Sequence, residues 1–158
     1  MLIGVDPGKQ GGLVCLNHDG GLRSYATMPT TELDLIQWFR GTGIKRTQMR
    51  SCYMEKVHSM PGQGVASMFT FGVGYGGLRM AAVACGMKLI DVRPQAWQKA
   101  MGVSPRKKSE SKTEFKDRLR GMAQQLFPDS CLWTCNKKTQ LAVCDAMLIA
   151  EYGRREEK

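Results

Sequence analysis

The sequence predicts an α/β fold built on a mixed β-sheet. Three short apolar runs at 2–5, 13–16 and 22–27 are separated by glycine-containing turns, a pattern typical of an antiparallel meander. Two later strands are separated by a helical segment, and this order implies parallel strands joined by a right-handed crossover. Because 158 residues with 42% apolar side chains can bury one core but hardly two, we expect a single domain over residues 1–158.

The middle of the chain supplies the first helix and the last two strands. Thr31 is a candidate N-cap residue with an acidic residue three positions later, and the helix that it opens should end near Gly41. Residues 52–55 and 88–92 are the fourth and fifth predicted strands. Between them, a Gly- and Met-rich segment ends in a helical pattern at 78–85, which predicts the crossover helix.

Two further helices are predicted towards the carboxyl terminus. Residues 111–114 have the sequence of a capping box, and apolar residues follow at helical spacing until Pro128. Three basic residues share the opposite face, which we expect to be exposed: Lys112, Lys116 and Arg120. The last helix is expected over 138–152, and Asp145 lies on its inward stripe. Four apolar residues complete that stripe: Leu141, Leu148, Ile149 and Tyr152.

The charge balance indicates a polyanionic partner. Lys and Arg number 23 against 14 Asp and Glu, giving a net charge of +9, and the pI is near 9.5. The excess is concentrated in 106–120, with seven basic and three acidic residues, and in 40–50, with four basic residues and no acidic one. Each run by itself is also compatible with an ordinary solvated surface. Nucleic acid is the expected partner.

Cysteine usage and hydropathy indicate a soluble protein of a reducing compartment. The six cysteines lack the dense spacing of a disulfide scaffold, and Cys131 and Cys135 have no second ligand pair at the spacing of a zinc site. No apolar run reaches the length of a membrane span or of a signal sequence. We expect an unprocessed protein of a bacterial or phage-infected cytoplasm, or of an organelle matrix, with no membrane partner.

Three carboxylates stand where a purely structural sequence seldom places them, because an unpaired buried charge is costly. Asp6 and Glu55 each end a predicted strand, and Asp145 faces the core. Asp6 precedes Pro7-Gly8 and could also simply start a turn. If the two strands are parallel neighbours, both carboxylates project from the sheet edge where ligands of open α/β sheets gather. A shared cation would satisfy all three, and oxygen-only ligands favour Mg²⁺ or Mn²⁺ over zinc.

The segments around these carboxylates resemble a known family. The segments at 3–8, 53–57 and 145–150 read IGVDPG, YMEKV and DAMLIA. They resemble the three acidic motifs of RuvC-type Holliday-junction resolvases. Three further segments are similar to the phage and organelle branches of that family: 60–64, 71–76 and 123–128. The order and spacing of these matches cover nearly the whole chain.

The resemblance implies an RNase H-like fold, with a five-stranded mixed sheet flanked by helices, and a homodimer that presents two active sites to a four-way DNA junction. The helix around 71–76 would belong to the dimer interface. The implied reaction is Mg²⁺-dependent hydrolysis that leaves a 5′-phosphate and a 3′-hydroxyl, with Mn²⁺ able to substitute. Asp6 would bridge two metal ions, and Glu55 and Asp145 would be further ligands.

The sequence departs from that family at one expected ligand. RuvC-type enzymes usually carry an Asp or His a few residues before the last carboxylate, and here Gln140, Leu141 and Ala142 occupy that stretch. Gln140 could coordinate weakly, or water could fill the position. We expect a site that needs more Mg²⁺ or prefers Mn²⁺. A junction-binding protein that has lost cleavage is the alternative, and a related nuclease acting on RNA or flaps is also compatible with the sequence.

Further residues are candidates for DNA contact. His58 and Met60 follow Glu55 closely and could stack on unpaired bases, although a lone His is more often structural or merely exposed. Phosphate contacts are expected from six basic side chains: Lys9, Lys56, Lys99, Lys112, Lys116 and Arg120.

A dinucleotide-binding site is a competing interpretation. Residues 72–77 read GVGYGG and match a GxGxxG fingerprint, with Asp91 at a suitable distance. That fingerprint needs a full strand before the glycines and a full helix after them, which the sequence hardly provides. The alternative is that Gly72 and Gly76, one turn apart, let a helix approach another backbone closely.

Overall fold

The computed structural model describes residues 1–42, 50–58, 62 and 64–157. A five-stranded sheet has the order β3-β2-β1-β4-β5. Its strands are β1 (Leu2–Asp6), β2 (Gly12–Leu16), β3 (Leu22–Thr27), β4 (Ser51–Glu55) and β5 (Lys88–Val92). The first three strands pair antiparallel, whereas β1 with β4 and β4 with β5 pair parallel. The mixed sheet predicted from the sequence is therefore confirmed.

Five α-helices accompany the sheet in the described part of the chain, and a short 3₁₀ helix (Cys131–Thr134) precedes the last of them. They are α1 (Glu32–Gly41), α2 (Val65–Ala84), α3 (Pro94–Ala100), α4 (Lys112–Leu126) and α5 (Lys137–Glu156). The predicted starts of α1 and α4 are confirmed, because Thr31 Oγ1 accepts the backbone N–H of Asp34 and a complete capping box joins Ser111 and Glu114. The sequence prediction missed α3, which opens with a Pro at its first helical position.

The crossover helix α2 is much longer than the predicted 78–85, since it begins at Val65. Four glycines at 72, 74, 76 and 77 disfavour a helix by up to about 1 kcal/mol each. For this reason the sequence predicted only the second half of α2. That second half packs on the sheet through Leu78, Ala81 and Ala82, whereas most of the first half is exposed. Within the described ranges, no helix is long and apolar enough to cross a membrane.

Two cores lie on opposite faces of the sheet. Successive side chains of a strand point to opposite faces, so Leu2 belongs to one core and Ile3 to the other. The core with Ile3 is covered by α1 and α2, whereas the core with Leu2 is covered by α5, which also contacts α3 and α4.

Helix α5 is buried on nearly all sides rather than along one stripe. Residues 142–151 are all buried, which corrects the expectation of a one-sided helix, because α5 lies between the sheet and the helices α3 and α4. Leu141, assigned to the inward stripe, is only partly buried. Predicted to end at 152, the helix continues to Glu156.

Glycines on two strands let α5 lie directly against the sheet. A Cβ added at Gly4 would stand 2.1 Å from the carbonyl oxygen of Ala146, and one added at Gly12 would stand 2.6 Å from that of Ala142. Real Cβ atoms never approach a backbone oxygen so closely, so only Gly fits at these two positions. The small side chains of Ala142, Ala146 and Ala150, spaced by four residues, form the matching surface of α5. This contact brings Asp145 to the carboxyl end of β1.

Candidate active site

Strand pairing places two of the predicted carboxylates at one edge of the sheet. Asp6 is the last residue of β1 and Glu55 is the last residue of β4. These strands are parallel neighbours, with Val5 opposite Met54, so both carboxylates emerge at the same end. Asp145 reaches that end from α5, which packs across β1. The structure therefore brings together the three carboxylates that the sequence singled out.

The three carboxylates form one electrostatic cluster with little access to water. The side chain of Asp6 is 14% exposed and that of Asp145 is 9% exposed. Burial and then the charge of Asp145 raise the pKa of Asp6 well above its usual range, against the opposing effect of Lys116. Burial also raises the pKa values of Asp145 and Glu55. Like charges in a dry site favour proton or cation uptake.

Lys116 supplies the cation that the cluster holds in this structure. Its Nζ lies 2.5 Å from Oδ2 of Asp145 and 3.8 Å from Oδ2 of Asp6. Burial lowers the pKa of Lys116, but the charges of Asp145 and Asp6 outweigh it, so the pKa is raised. The expectation that Lys116 lies on an exposed face is corrected, because α4 packs on α5 and directs this side chain over the carboxylates.

Glu55 has a different partner. Nε1 of Trp97, a fully buried residue of α3, donates a hydrogen bond of 2.8 Å to Oε2 of Glu55. This bond lowers the pKa of Glu55, although burial raises it more. The sequence analysis missed Trp97, and Pro94 at the start of α3 was the signal that could have revealed its helix.

The three carboxylates have the chemistry of ligands for a hard divalent cation, but their side chains stand too far apart in this structure to bind one ion together. Oδ1 of Asp145 is buried and has no hydrogen-bond partner among the described residues. Buried polar atoms are normally paired, so this oxygen is a candidate to bind a cation. All three candidate ligands are carboxylates, the type that Mg²⁺ and Mn²⁺ prefer. In the described part of the chain, however, no three Asp, Glu, His or Cys residues stand at metal-binding spacing.

Gln140 does not contribute to the cluster. Its Nε2 donates to the carbonyl oxygens of Cys135 and Trp133, at 2.8 and 3.2 Å, and its Oε1 accepts from Arg120 at 3.0 Å. The suggestion that Gln140 is a weak ligand is therefore not supported, because its amide is already used to hold the start of α5. Ala142 is nearly buried beside the cluster.

A cavity of about 750 Å³ opens next to the carboxylates. Its walls include Asp6, Lys9, Lys116 and Ala142. A second cavity of about 520 Å³ lies beyond the end of β4 and is lined in part by His58 and Phe71. Asp6 and Lys116 of the cluster thus stand in the wall of a concave surface that a ligand could enter.

Some of the side chains predicted to contact DNA are exposed, and others are paired with residues of the protein itself. Five of them are exposed: Lys9, Lys56, His58, Lys99 and Lys112. Arg120 was expected to be exposed, but it is partly buried and pairs with Asp117 at 3.6 Å and with Gln140. Met60, and residues 43–49 of the first basic run, lie outside the described residues.

The structure contradicts the dinucleotide-binding interpretation. The glycines at 72–77 lie inside α2 rather than in a turn between a strand and a helix, so their N–H groups are used within the helix. Asp91 is paired with Arg79 and also accepts from Tyr75. A Cβ added at Gly72 or Gly76 would meet no described atom within 4 Å, so the expected close approach to another backbone does not occur within the described part of this chain.

Solved structures with the same architecture include two of one bacterial protein. T. thermophilus RuvC in complex with a Holliday junction substrate has a TM-score of 0.65 and 11% sequence identity, over 99% of this chain and 96% of that chain. A structure of Thermus thermophilus RuvC has a TM-score of 0.58 and 14% identity, over 98% and 95%. No protein-family model and no curated protein matches the sequence significantly. The chain therefore has the RNase H-like fold of the RuvC resolvases, as its motifs predict.

Proposed function

We propose that this protein is a divalent-metal-dependent endodeoxyribonuclease that hydrolyses phosphodiester bonds in Holliday junctions or other branched DNA. One observation carries the proposal, namely the meeting of Asp6, Glu55 and Asp145 at one sheet edge of a RuvC-type fold. Three carboxylates with little access to water repel each other and weaken the fold unless they serve to hold a cation.

The carboxylates would hold Mg²⁺, or Mn²⁺ in its place, and the metal would activate water and stabilise the leaving oxygen. The residues of the chain supply the rest of the site. Trp97 fixes one oxygen of Glu55 through its hydrogen bond. Lys9 is exposed on the wall of the adjoining cavity, where it can contact a phosphate.

The charge of the surface supports DNA as the substrate. The net charge of +9 favours a polyanion, and Lys56, Lys99 and Lys112 are exposed. The T. thermophilus RuvC that shares this fold is bound to a Holliday junction substrate, and we propose a four-way junction for this chain as well.

We further propose that the protein is a homodimer that pairs through α2. Five large apolar residues of this helix are between 54% and 86% exposed: Val65, Phe69, Val73, Met80 and Val83. At about 100° per residue they fall within a face of roughly 100° that also includes Gly72 and Gly76. Such an apolar patch is rare on a monomer, and small residues within it allow two helices to approach closely. Two copies would present two sites to one junction.

A junction-binding protein without cleavage is the second candidate, and a specific observation favours it. Lys116 already neutralises part of the cluster, and Ala142 stands where a fourth ligand is expected. Such a protein would bind four-way junctions in the same way with and without Mg²⁺.

The deciding experiment compares a labelled four-way junction with matched duplex and flap DNA, each with Mg²⁺ or with a chelator. The proposal expects Mg²⁺-dependent cuts in the junction, and expects Asp6→Asn, Glu55→Gln and Asp145→Asn to abolish them without loss of junction binding. Wild-type cleavage by any two of these variants would refute the site. Tight binding with no cuts in Mg²⁺ or Mn²⁺ would establish the second candidate.

A further inference from the structure

We propose that Lys116 is an internal cation that occupies the carboxylate cluster in the metal-free protein and is displaced when a divalent cation binds. The inference rests on the proposed function only in assuming that the cluster binds a metal. It assigns to Lys116 a role in setting the affinity for that metal.

The position of the ammonium group carries the argument. It lies within 4 Å of two different candidate ligands, at 2.5 Å from Asp145 and 3.8 Å from Asp6. A divalent cation held by the same two carboxylates would stand about 2 Å from their oxygens. The ammonium and the metal would then be close like charges in a poorly hydrated site, where repulsion is strong. Both cannot be held by these oxygens at once.

The ammonium leaves the cluster incompletely neutralised. One positive charge faces Asp6, Asp145 and Glu55, and Oδ1 of Asp145 remains buried with no hydrogen-bond partner in the described chain. The side chain of Asp145 is only 9% exposed, so water hardly compensates this oxygen. A divalent cation carries twice the charge of the ammonium and can also coordinate Oδ1 of Asp145. For both reasons it can replace the ammonium.

The cavity beside Lys116 can accommodate the ammonium group after it leaves the carboxylates. Its side chain is 40% exposed and forms part of the wall of the cavity of about 750 Å³ beside the cluster. A lysine has a flexible stem of four carbons and a strongly hydrated head, so the ammonium can move into the cavity without a change in the helix backbone. Once displaced, the ammonium would stand beside the metal site, where a phosphate of the substrate would meet it.

Metal affinity tests the proposal without DNA and without a measure of activity. The probe is Mn²⁺, titrated by calorimetry and by loss of its free electron-spin signal. Lys116→Gln removes the competitor and should tighten Mn²⁺ binding at least ten-fold. Lys112→Gln is the matched control, because it removes the same charge one turn earlier on α4 from an exposed side chain. Lys116→Arg keeps a competing charge and should not gain affinity.

Equal gains in Lys116→Gln and Lys112→Gln would reduce the effect to general electrostatics and overturn the proposal. Weaker Mn²⁺ binding in Lys116→Gln would also overturn it, because Lys116 would then order the ligands. If Asp6→Asn loses Mn²⁺ and Lys116→Gln matches wild type, only this inference fails. If wild type and Lys116→Gln both fail to bind Mn²⁺, the proposed metal site fails with it.

A second measurement needs no variant. The ammonium of Lys116 is hydrogen-bonded to Asp145 and half-buried, so its protons should exchange slowly enough for detection by nitrogen-edited NMR. Addition of diamagnetic Mg²⁺ should remove this signal as the ammonium enters water. Persistence of the signal in protein saturated with Mg²⁺ would show that Lys116 stays in place and would contradict displacement.

Discussion

Nε1 of Trp97 donates a hydrogen bond of 2.8 Å to Oε2 of Glu55. Trp97 has no exposed surface and belongs to the core beneath α5, whereas Glu55 is only partly buried at the sheet edge. The bond therefore ties a candidate metal ligand to a side chain that is fully buried in the core. A carboxylate whose direction is fixed in advance loses less entropy when a cation binds.

Replacing Trp97 with Phe tests this link, because the change keeps an aromatic ring and removes the donor. We expect about ten-fold weaker Mn²⁺ binding, in line with the loss of an outer partner of a ligand. The pKa of Glu55 should rise further, since the bond lowers it, so metal binding should need a higher pH. Trp133→Phe is the control, because it removes an indole hydrogen bond to the carbonyl oxygen of Phe127 outside the cluster. Equal loss of Mn²⁺ affinity in both variants would contradict a specific role for Trp97.

Substitution of Gly4 tests the close packing of α5 on β1. In Gly4→Ala the new methyl group would meet the backbone of Ala146 and Ala150, which cannot move without shifting the helix. We expect a loss of about 3 kcal/mol or more in the free energy of unfolding. Gly121→Ala is the control, because Gly121 lies within α4 with open space around it, and should gain up to about 1 kcal/mol. Urea denaturation measures both, and a loss below about 1 kcal/mol in Gly4→Ala would show that the contact is loose.

The raised pKa of Asp145 predicts a pH dependence of stability in metal-free protein. A carboxyl group whose pKa is higher in the folded state stabilises the fold fully below its unfolded pKa of about 4, and this contribution is lost as the pH rises through the folded pKa. Because the Asn side chain does not ionise, Asp145→Asn does not lose this stability as the pH rises. The variant should therefore be more stable than wild type at pH 8, with no such difference near pH 4.

Urea titrations with a chelator at both pH values measure this difference. Asp129→Asn is the control, because it makes the same chemical change at an exposed position. Millimolar Mg²⁺ should raise the stability of wild type and leave Asp145→Asn unchanged. Greater stability of wild type than of Asp145→Asn at pH 8 in chelator would mean that Lys116 overcompensates the charge of Asp145.

The exposed face of α2 predicts the oligomeric state. Phe69→Glu places a charge in the middle of the apolar stripe, and should convert a dimer into a folded monomer in sedimentation measurements. Thr70→Glu is the control, because residue 70 is exposed on the same helix but points about 100° away from Phe69. A monomeric wild type would refute this interface, and a dimer that persists in Phe69→Glu would place it elsewhere on the surface.

The sequence by itself determined the five strands, most of the helices and the two strand-end carboxylates. Strand and helix starts depend on neighbouring residues, such as Thr31 and the capping box at 111–114, so local patterns are sufficient to predict them. The order strand, helix, strand predicts that β4 and β5 are parallel, as they are in the structure. The sequence placed Asp6 and Glu55 at one edge only on the condition that β1 and β4 are parallel neighbours, and the strand pairing meets that condition. The inward position of Asp145 followed from helical periodicity.

Only the tertiary structure decided which side chains complete the cluster. Lys116 and Trp97 reach the carboxylates because of the distance and angle at which α4 and α3 pack against α5, and helical periodicity contains no information on either quantity. The same packing surrounds α5 on all sides, where periodicity predicted a single buried stripe. The full length of α2 was likewise decided by tertiary contacts of its second half, which outweigh the poor helix propensity of the glycines in its middle.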